Sequence, residues 1–211
     1  NEKYQKNVVY PIAASLIGHF ASAVSGSNLY RKSSFLLDSI GQQIFAADIQ
    51  VRESPHLDKG LASSPFDDDG VATVQRHVIH DGVVQGYFLS SYSARKLGMR
   101  TTGNAGGTHN LIMYNAAPMD FSALMKKMDT GLLVTELMGH GVNSVTGDYS
   151  RGASGFWVER GEIAYPVEEI TIAGNLREMF LGIESIGNDV MVRGSKQCGS
   201  VLINRMTVAG D

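Results

Sequence analysis

The run 131–175, GLLVTELMGHGVNSVTGDYSRGASGFWVERGEIAYPVEEITIAGN, decides how the 211-residue chain is read. Leu132, Leu133 and Val134, followed by Leu137, form an apolar strand pattern, and Phe156, Trp157 and Val158 form a second. Between them, 139–155 holds five glycines and the polar cluster Thr146, Asp148, Tyr149, Ser150 and Arg151. That is more polar chemistry than a turn requires. The pattern predicts a glycine-punctuated loop over 139–155, with Asp148, Tyr149 and Arg151 serving a substrate or an interface. The rival is a purely structural role, in which Asp148 holds a turn and Arg151 pairs with it. Beyond the loop, 156–159 and 162–167 face each other across Arg160-Gly161 as a hairpin, and 169–173 adds a strand. Asn175 then caps a helix predicted to run through Ile186, with Gly187 as its stop.

The bulk numbers bound the remaining possibilities. At 43% hydrophobic residues the chain can build a core, and its length suits one large domain or two small ones, of which a single domain over 1–211 is expected. A net charge of -3 and a pI near 6.1 supply no basic field for phosphate backbones, so direct nucleic-acid binding is not expected. The one cysteine, Cys198, rules out an internal disulfide framework and fits a cytoplasmic protein. No apolar run reaches the roughly 18 residues of a membrane span, and no signal peptide is visible.

Upstream, Tyr10-Pro11-Ile12 starts a helix in which Ile12, Leu16, Phe20 and Val24 recur every four residues and Gly26 is the stop. A strand is predicted over 44–51, followed by a turn-rich loop over 54–70. Its Asp67-Asp68-Asp69-Gly70 run lacks the spaced ligands and terminal glutamate of a calcium loop, and reads as a solvated turn. Asp81-Gly82 between 71–80 and 83–89 is the strongest hairpin signal. A serine-capped helix follows at 91–97. The loop Gly103-Asn104-Ala105-Gly106-Gly107-Thr108 lacks the lysine and spacing of a phosphate cradle and reads as a close-packed turn. Next come a strand at 111–114 and a helix over 118–128, capped by Asp120 or Ser122 and closed by Lys126 and Lys127. Strands at 190–192 and 201–208 flank Cys198-Gly199. These elements amount to roughly nine strands and about four helices joined by hairpins, an α+β class with a mainly antiparallel, strongly curved or barrel-like sheet.

The segment TELMGHGVNSVTGDYSRGASGFWVE resembles the C-terminal signature of the PmbA/TldD family, once called modulator of DNA gyrase and now regarded as metallopeptidase-related. Further segments resemble the PmbA (TldE) branch in the same order: YRKSSFLLDSIGQQI at 30–44, HLDKGLASSPFDDDG at 56–70, SYSARKLG at 91–98 and QCGSVL at 197–202. The resemblance implies a barrel-like sheet and a further N-terminal domain ahead of this region. The zinc-bearing TldD branch carries an HExxxH helix, whose two histidines and general-base glutamate are joined by a later cysteine ligand. Laid on this chain, that helix falls on Ala14-Ser15-Leu16-Ile17-Gly18-His19. Ala14 replaces the first histidine and Ser15 the glutamate, while His19 and Cys198 match the second histidine and the cysteine.

His19 and Cys198 are therefore vestigial metal positions. Two donors fall short of the three that catalytic zinc needs, and a hydroxyl is no general base near neutral pH. The resemblance implies no catalytic residue and no cofactor in this chain. It implies a non-catalytic subunit of a cytoplasmic metallopeptidase, with zinc in a TldD-like partner and unfolded peptides as substrates. Two other readings stay open: a zinc peptidase in its own right, with ligands outside this stretch, and a peptide- or protein-binding module. Read without the resemblance, His19 is a partly buried histidine beside Leu16 and Phe20, and Cys198 a small buried hydrophobe. His77 and His80 fall on opposite faces of a strand by simple alternation, and His56, His109 and His140 have no paired ligand at metal spacing. Gly152-Ala153-Ser154-Gly155 lacks the frame of a nucleophile elbow.

Overall fold

The computed structural model describes residues 3–9 and 13–210. In chain order the elements are β1 (Lys3–Val9), α1 (Ala14–Ala23), α2 (Gly26–Tyr30), β2 (Ile49–Ser54), β3 (Arg76–His80), β4 (Val83–Val84), α3 (Ser91–Leu97) and β5 (Asn110–Asn115). There follow α4 (Phe121–Met128), β6 (Gly131–Met138), β7 (Asp148–Glu159), β8 (Glu162–Asn175), α5 (Leu176–Leu181), β9 (Ile183–Ile186), β10 (Lys196–Gln197) and β11 (Val201–Ala209). The class is α+β, as expected. The single barrel-like sheet expected from the sequence resolves into two sheets, one in each of two compact units.

The first unit gathers the described residues up to Ala13 with 114–191 and 198–210. Its sheet has the order β1-β6-β7-β8-β11-β9, and β1 pairs with β11 as well. The β1–β6 ladder is parallel, while β6–β7, β7–β8, β8–β11, β9–β11 and β1–β11 are antiparallel. The spine is the β7–β8 hairpin, which runs from Asp148 opposite Asn175 to Glu159 opposite Glu162. Its two-residue turn, Arg160-Gly161, has φ of 54° and 76°, the doubly left-handed conformation that matches strand twist. Helix α4 starts where the Asp120 carboxylate accepts from Ala123 N–H at 2.7 Å. Such a cap contributes about 1 kcal/mol. The buried face of α4, Leu124, Met125 and Met128, packs with Leu133, Val158 and Leu202. Each such side chain removed from water stabilises the fold by roughly 1.5–3 kcal/mol.

The largest departure from expectation is that the predicted loop 139–155 ends at Gly147, because β7 already begins at Asp148. Glycines suggested a loop there, yet Gly155 serves the sheet. A Cβ on Gly155 would lie 1.9 Å from the Leu133 carbonyl oxygen. The register shifts beside this residue in both flanking ladders, so Gly155 lets β6 and β7 approach at a bulge. Predicted strands 162–167 and 169–173 are one strand, β8, in which Glu169 takes a φ of 54°. Helix α5 stops at Leu181 with Gly182 as its C-cap, where an added side chain would meet Asn204 Oδ1 at 2.4 Å, and the rest of the predicted helix is strand β9 against β11. Residues 190–192 are irregular, and β1 was not anticipated because Lys3–Val9 is too polar to announce a strand.

The second unit comprises residues 14–113 and 192–197, with sheet order β10-β5-β2-β3-β4 and helices α1 to α3. The predicted helix start at Tyr10-Pro11-Ile12 lies outside the described residues. From Ala14 onward the period of four is the buried face, with Leu16 and Phe20 inward and Phe20 edge-on to Phe45 at 5.2 Å. Gly26 opens α2 rather than ending α1. The predicted strand 44–51 is shifted, since β2 begins only at Ile49. The Asp81-Gly82 hairpin is present, with φ of 48° and 76° and Ile79 opposite Val84. α3 begins in a capping box between Ser90 and Ser93 and ends at left-handed Gly98. Among the described residues no helix is long and apolar enough to cross a membrane.

A substitution pair isolates the close approach at Gly155. Gly155→Ala should lower stability by about 1–3 kcal/mol, since backbone must move to admit one methyl group. Gly194→Ala, where nothing lies within 4 Å of the added carbon, should stay within about 0.5 kcal/mol of the parent. Thermal unfolding of the two variants side by side measures both.

Candidate functional site

The connection from β6 to β7 is built from its own polar atoms. Asn143 Oδ1 accepts from Val145 N–H at 2.9 Å and Thr146 N–H at 3.3 Å, an Asx turn that reverses the chain. Gly147, at a φ of 82°, donates its N–H to the Asn143 carbonyl at 2.8 Å. Ser150 N–H then reaches the Gly141 carbonyl at 2.7 Å, and a Cβ on Gly141 would lie 1.8 Å from the Ser150 carbonyl oxygen. The glycines at 141 and 147 are thus demanded by a tight returning ribbon, and β7 emerges from it at Asp148.

Asp148 is exposed and held in place from two sides. Thr146 Oγ1 donates to Asp148 Oδ2 at 2.6 Å, and Asn175 Nδ2 donates to Asp148 Oδ1 at 3.2 Å. The Thr146 hydroxyl, and after it the Asn175 amide, hold the Asp148 carboxyl below the ordinary carboxylate value. Asn175 also caps α5 by accepting from Arg177 N–H at 3.1 Å. One side chain therefore fixes both the helix start and the carboxylate. Asp148 borders two grooves. One, of about 680 Å³, is lined by Asn175, Glu178, Asn204, Arg205 and Thr207 among others; the second, of about 620 Å³, is lined by 140–144 and 148–150.

Strand alternation sends the neighbouring predicted residues elsewhere. Tyr149 is buried, and burial pushes its hydroxyl upward in pKa while the charge of Arg151, and after it a hydrogen bond from the same side chain, opposes the rise. Arg151 therefore serves Tyr149, not Asp148, and the expected Asp148–Arg151 pair is replaced by two separate arrangements. Asp148 alone of the three faces the grooves as an exposed charge. Asn175 had been read only as a helix cap, and Glu178, Asn204 and Arg205 carried no motif; only the pairing of β8 and β11 around α5 brings them beside Asp148.

The vestigial metal positions fall in different units, His19 on α1 and Cys198 ahead of β11. Burial, aided by the Asp189 carboxylate, pushes the Cys198 thiol up to about 12, so it is a neutral thiol at pH 7. Ala14 offers no donor and Ser15 only a hydroxyl. Among the described residues no three His, Cys, Asp or Glu side chains converge as a metal site.

Two further motifs prove to be one structure. The Asp67 carboxylate accepts from the N–H groups of Ala105, Val71 and Asp69, at 2.9, 2.9 and 3.0 Å. Burial would raise its pKa, but those three donors and nearby His109 together bring it below the ordinary value. Buried Glu53 accepts from Arg76 Nε at 2.9 Å, Asn104 Nδ2 at 2.7 Å and His109 N–H at 3.1 Å. The acidic turn and the 103–108 glycine loop are thus stitched together by the protein's own carboxylates, with Ala105 and His109 amides already engaged. His77 and His80 correct the alternation argument: their rings lie 5.3 Å apart, because a bulge at buried Val78 and Ile79 shifts the register of β3.

The model of the PmbA/TldA metallopeptidase C-terminal domain matches residues 6–210. Metalloprotease PmbA of Escherichia coli O157:H7 is 55% identical over 94% of this chain, and the PmbA homologue of Haemophilus influenzae is 51% identical over 95%. The chain spans 44% of the length of each, less than half of these curated relatives. A candidate modulator of a DNA gyrase from Thermotoga maritima is 35% identical with a TM-score of 0.91, over 99% of this chain and 50% of that one. TldE from Thermococcus kodakarensis, at 23% identity, shares the fold with a TM-score of 0.86, over 100% of this chain and 51% of its own. The match across nearly the whole length, the identities to PmbA proteins and the shared fold have one consequence: this chain belongs to the PmbA/TldD metallopeptidase family, and is a C-terminal domain of its PmbA branch.

Proposed function

We propose that the chain is part of a PmbA-type subunit that is not catalytic alone and completes a cytoplasmic metallopeptidase together with a zinc-bearing, TldD-like partner acting on unfolded peptides. The observation that carries the reading is helix α1, which is folded and packed yet bears Ala14 and Ser15 where a zincin needs a ligand and a general base. A chain that keeps its scaffold while lacking the catalytic groups contributes surface. The exposed Asp148 rim, with its two grooves, is the place where that surface would meet a peptide or the partner. A second reading, a zinc peptidase in its own right, draws on the metalloprotease names of relatives up to 55% identical.

Metal content separates the two readings. Protein purified without chelator should carry zinc far below one ion per chain by elemental analysis; about one per chain, lost in Cys198→Ala, would establish the second reading instead. Activity separates them again. Cleavage of an unstructured peptide should appear only after mixing with an HExxxH-bearing relative, and should vanish when that relative's motif glutamate is replaced.

The Asp148 rim and the Tyr149–Arg151 pair should respond differently to mutation. Arg151→Ala leaves a buried tyrosine hydroxyl without its donor and should cost about 1–2 kcal/mol of stability, with peptide or partner binding intact. Asp148→Asn should weaken binding while hardly changing the melting temperature at pH 7. Because the folded Asp148 carboxyl titrates below the ordinary 3.8, the support it lends its turn is complete above that pH and is lost as the pH falls through the depressed value. The asparagine variant should lack that acid-side dependence, measured by melting temperature against pH.

A further inference from the structure

The outer half of β8 is an exposed edge. β11 pairs with β8 only at Thr171, Ile172 and Ala173, so among the described residues 162–170 have no strand on that side. On the β7 side the half-strand is held firmly, with Tyr165 opposite Trp157 and the turn N–H of Gly161 bonded to the Asp129 carbonyl at 2.7 Å. Away from the core lies an aromatic pair, Trp157 stacked on Tyr165 at 6.4 Å, with the indole N–H donating to Glu159 at 3.1 Å. Tyr165 is 51% exposed and Ile163 54%.

The charge around this pair is one-sided. Residues 159–169 hold Glu159, Glu162, Glu168 and Glu169 against the single cation Arg160, a formal charge of -3 that equals that of the whole chain. The other residues of this chain balance, 17 acidic against 17 basic. We propose that this acid-rimmed aromatic edge is the docking face for the zinc-bearing relative, received by an apolar recess bordered by lysine or arginine side chains. The inference rests on the subunit reading above and assigns the partner to this edge, leaving the Asp148 rim to the peptide.

Charge complementarity selects the occupant. Phosphate backbones and anionic lipid are repelled by three net negative charges. A second copy would set one acidic edge against another, and like charges facing across an interface are strongly unfavourable. Strand addition by a peptide is blunted too, since Pro166 has no N–H to offer and Glu169 turns the backbone away at a φ of 54°. What remains is recognition through side chains, with a rigid tyrosine and tryptophan as anchors and glutamates steering the approach.

The test measures binding of this chain to the HExxxH-bearing relative from the same genome, at low and at high salt. Glu162→Lys should weaken the complex by about tenfold at low salt, with the difference shrinking as salt screens it. Asp58→Lys, the same charge change on an exposed turn of the other unit, should leave affinity unchanged. Tyr165→Ser should weaken binding at every salt concentration with its melting temperature preserved. If the parent chain forms a complex that Glu162→Lys and Tyr165→Ser leave intact, the docking face is wrong and the subunit reading survives. If the parent chain forms no complex at all, both fail. Self-association that Tyr165→Ser abolishes would assign the edge to a second copy and overturn the proposal.

Discussion

The approach of β6 to β7 at Gly155 is the constraint on which the first unit depends. The Leu133 carbonyl oxygen occupies the space a side chain would need, so the strands come together only where the side chain is a hydrogen atom. The bulge set there divides the β7–β8 hairpin in two. Its inner half, from Asp148 to Ala153, is paired with 170–175 and carries the exposed carboxylate and the buried tyrosine. Its outer half carries Phe156 and Val158 into the α4 core and turns Trp157 outward against Tyr165. Both surfaces that matter to the functional reading are aimed by one glycine.

The second unit solves the problem of buried polarity with donors of its own. A carboxylate taken from water is costly unless donors surround it. Glu53 is enclosed by a guanidinium, an amide side chain and a backbone N–H, and Asp67 collects three backbone N–H groups. Arg76, Asn104 and His109 for Glu53, and Ala105 for Asp67, lie far along the chain, so each satisfied charge doubles as a tie between segments. Asp148 differs: its donors are Thr146 and Asn175, its surroundings are open, and it remains available to a ligand. The contrast between enclosed and exposed carboxylates is the physical reason to place the binding surface at Asp148 and not at the more conspicuous acidic run 67–69.

Turn chemistry was the most legible part of the sequence. Asp81-Gly82 and Arg160-Gly161 both adopt paired positive φ and both join antiparallel strands, because few residues accept that conformation and these do. Asp120 and Asn175 cap the helices they precede. Legibility failed where a glycine was needed for contact instead of conformation. Gly155 and Gly182 have no positive φ, so nothing local distinguishes them from loop glycines; their meaning lies in a carbonyl or an asparagine supplied by a distant strand. β1 failed for a related reason, since its place is set by β6 and β11 on either side and not by its own apolar content. The His77–His80 contact was misjudged because alternation presumes an unbulged strand.

The balance of charge elsewhere in this chain, 17 acidic against 17 basic residues, gives the acidic edge its weight. In a chain of strong net charge, a cluster of glutamates would be one patch among many and would carry little directional information. Here the formal charges outside 159–169 cancel, so this edge accounts for the chain's net charge of -3. Steering from one locus orients the encounter as well as accelerating it, because torque needs an uneven charge distribution. The aromatic pair at the same locus then converts orientation into contact, since Trp157 and Tyr165 are already fixed by stacking and lose little freedom on burial. Under the proposed subunit reading, a scaffold that must meet its partner in a defined pose would need such a device, and one acidic edge on a surface of otherwise balanced charge supplies it.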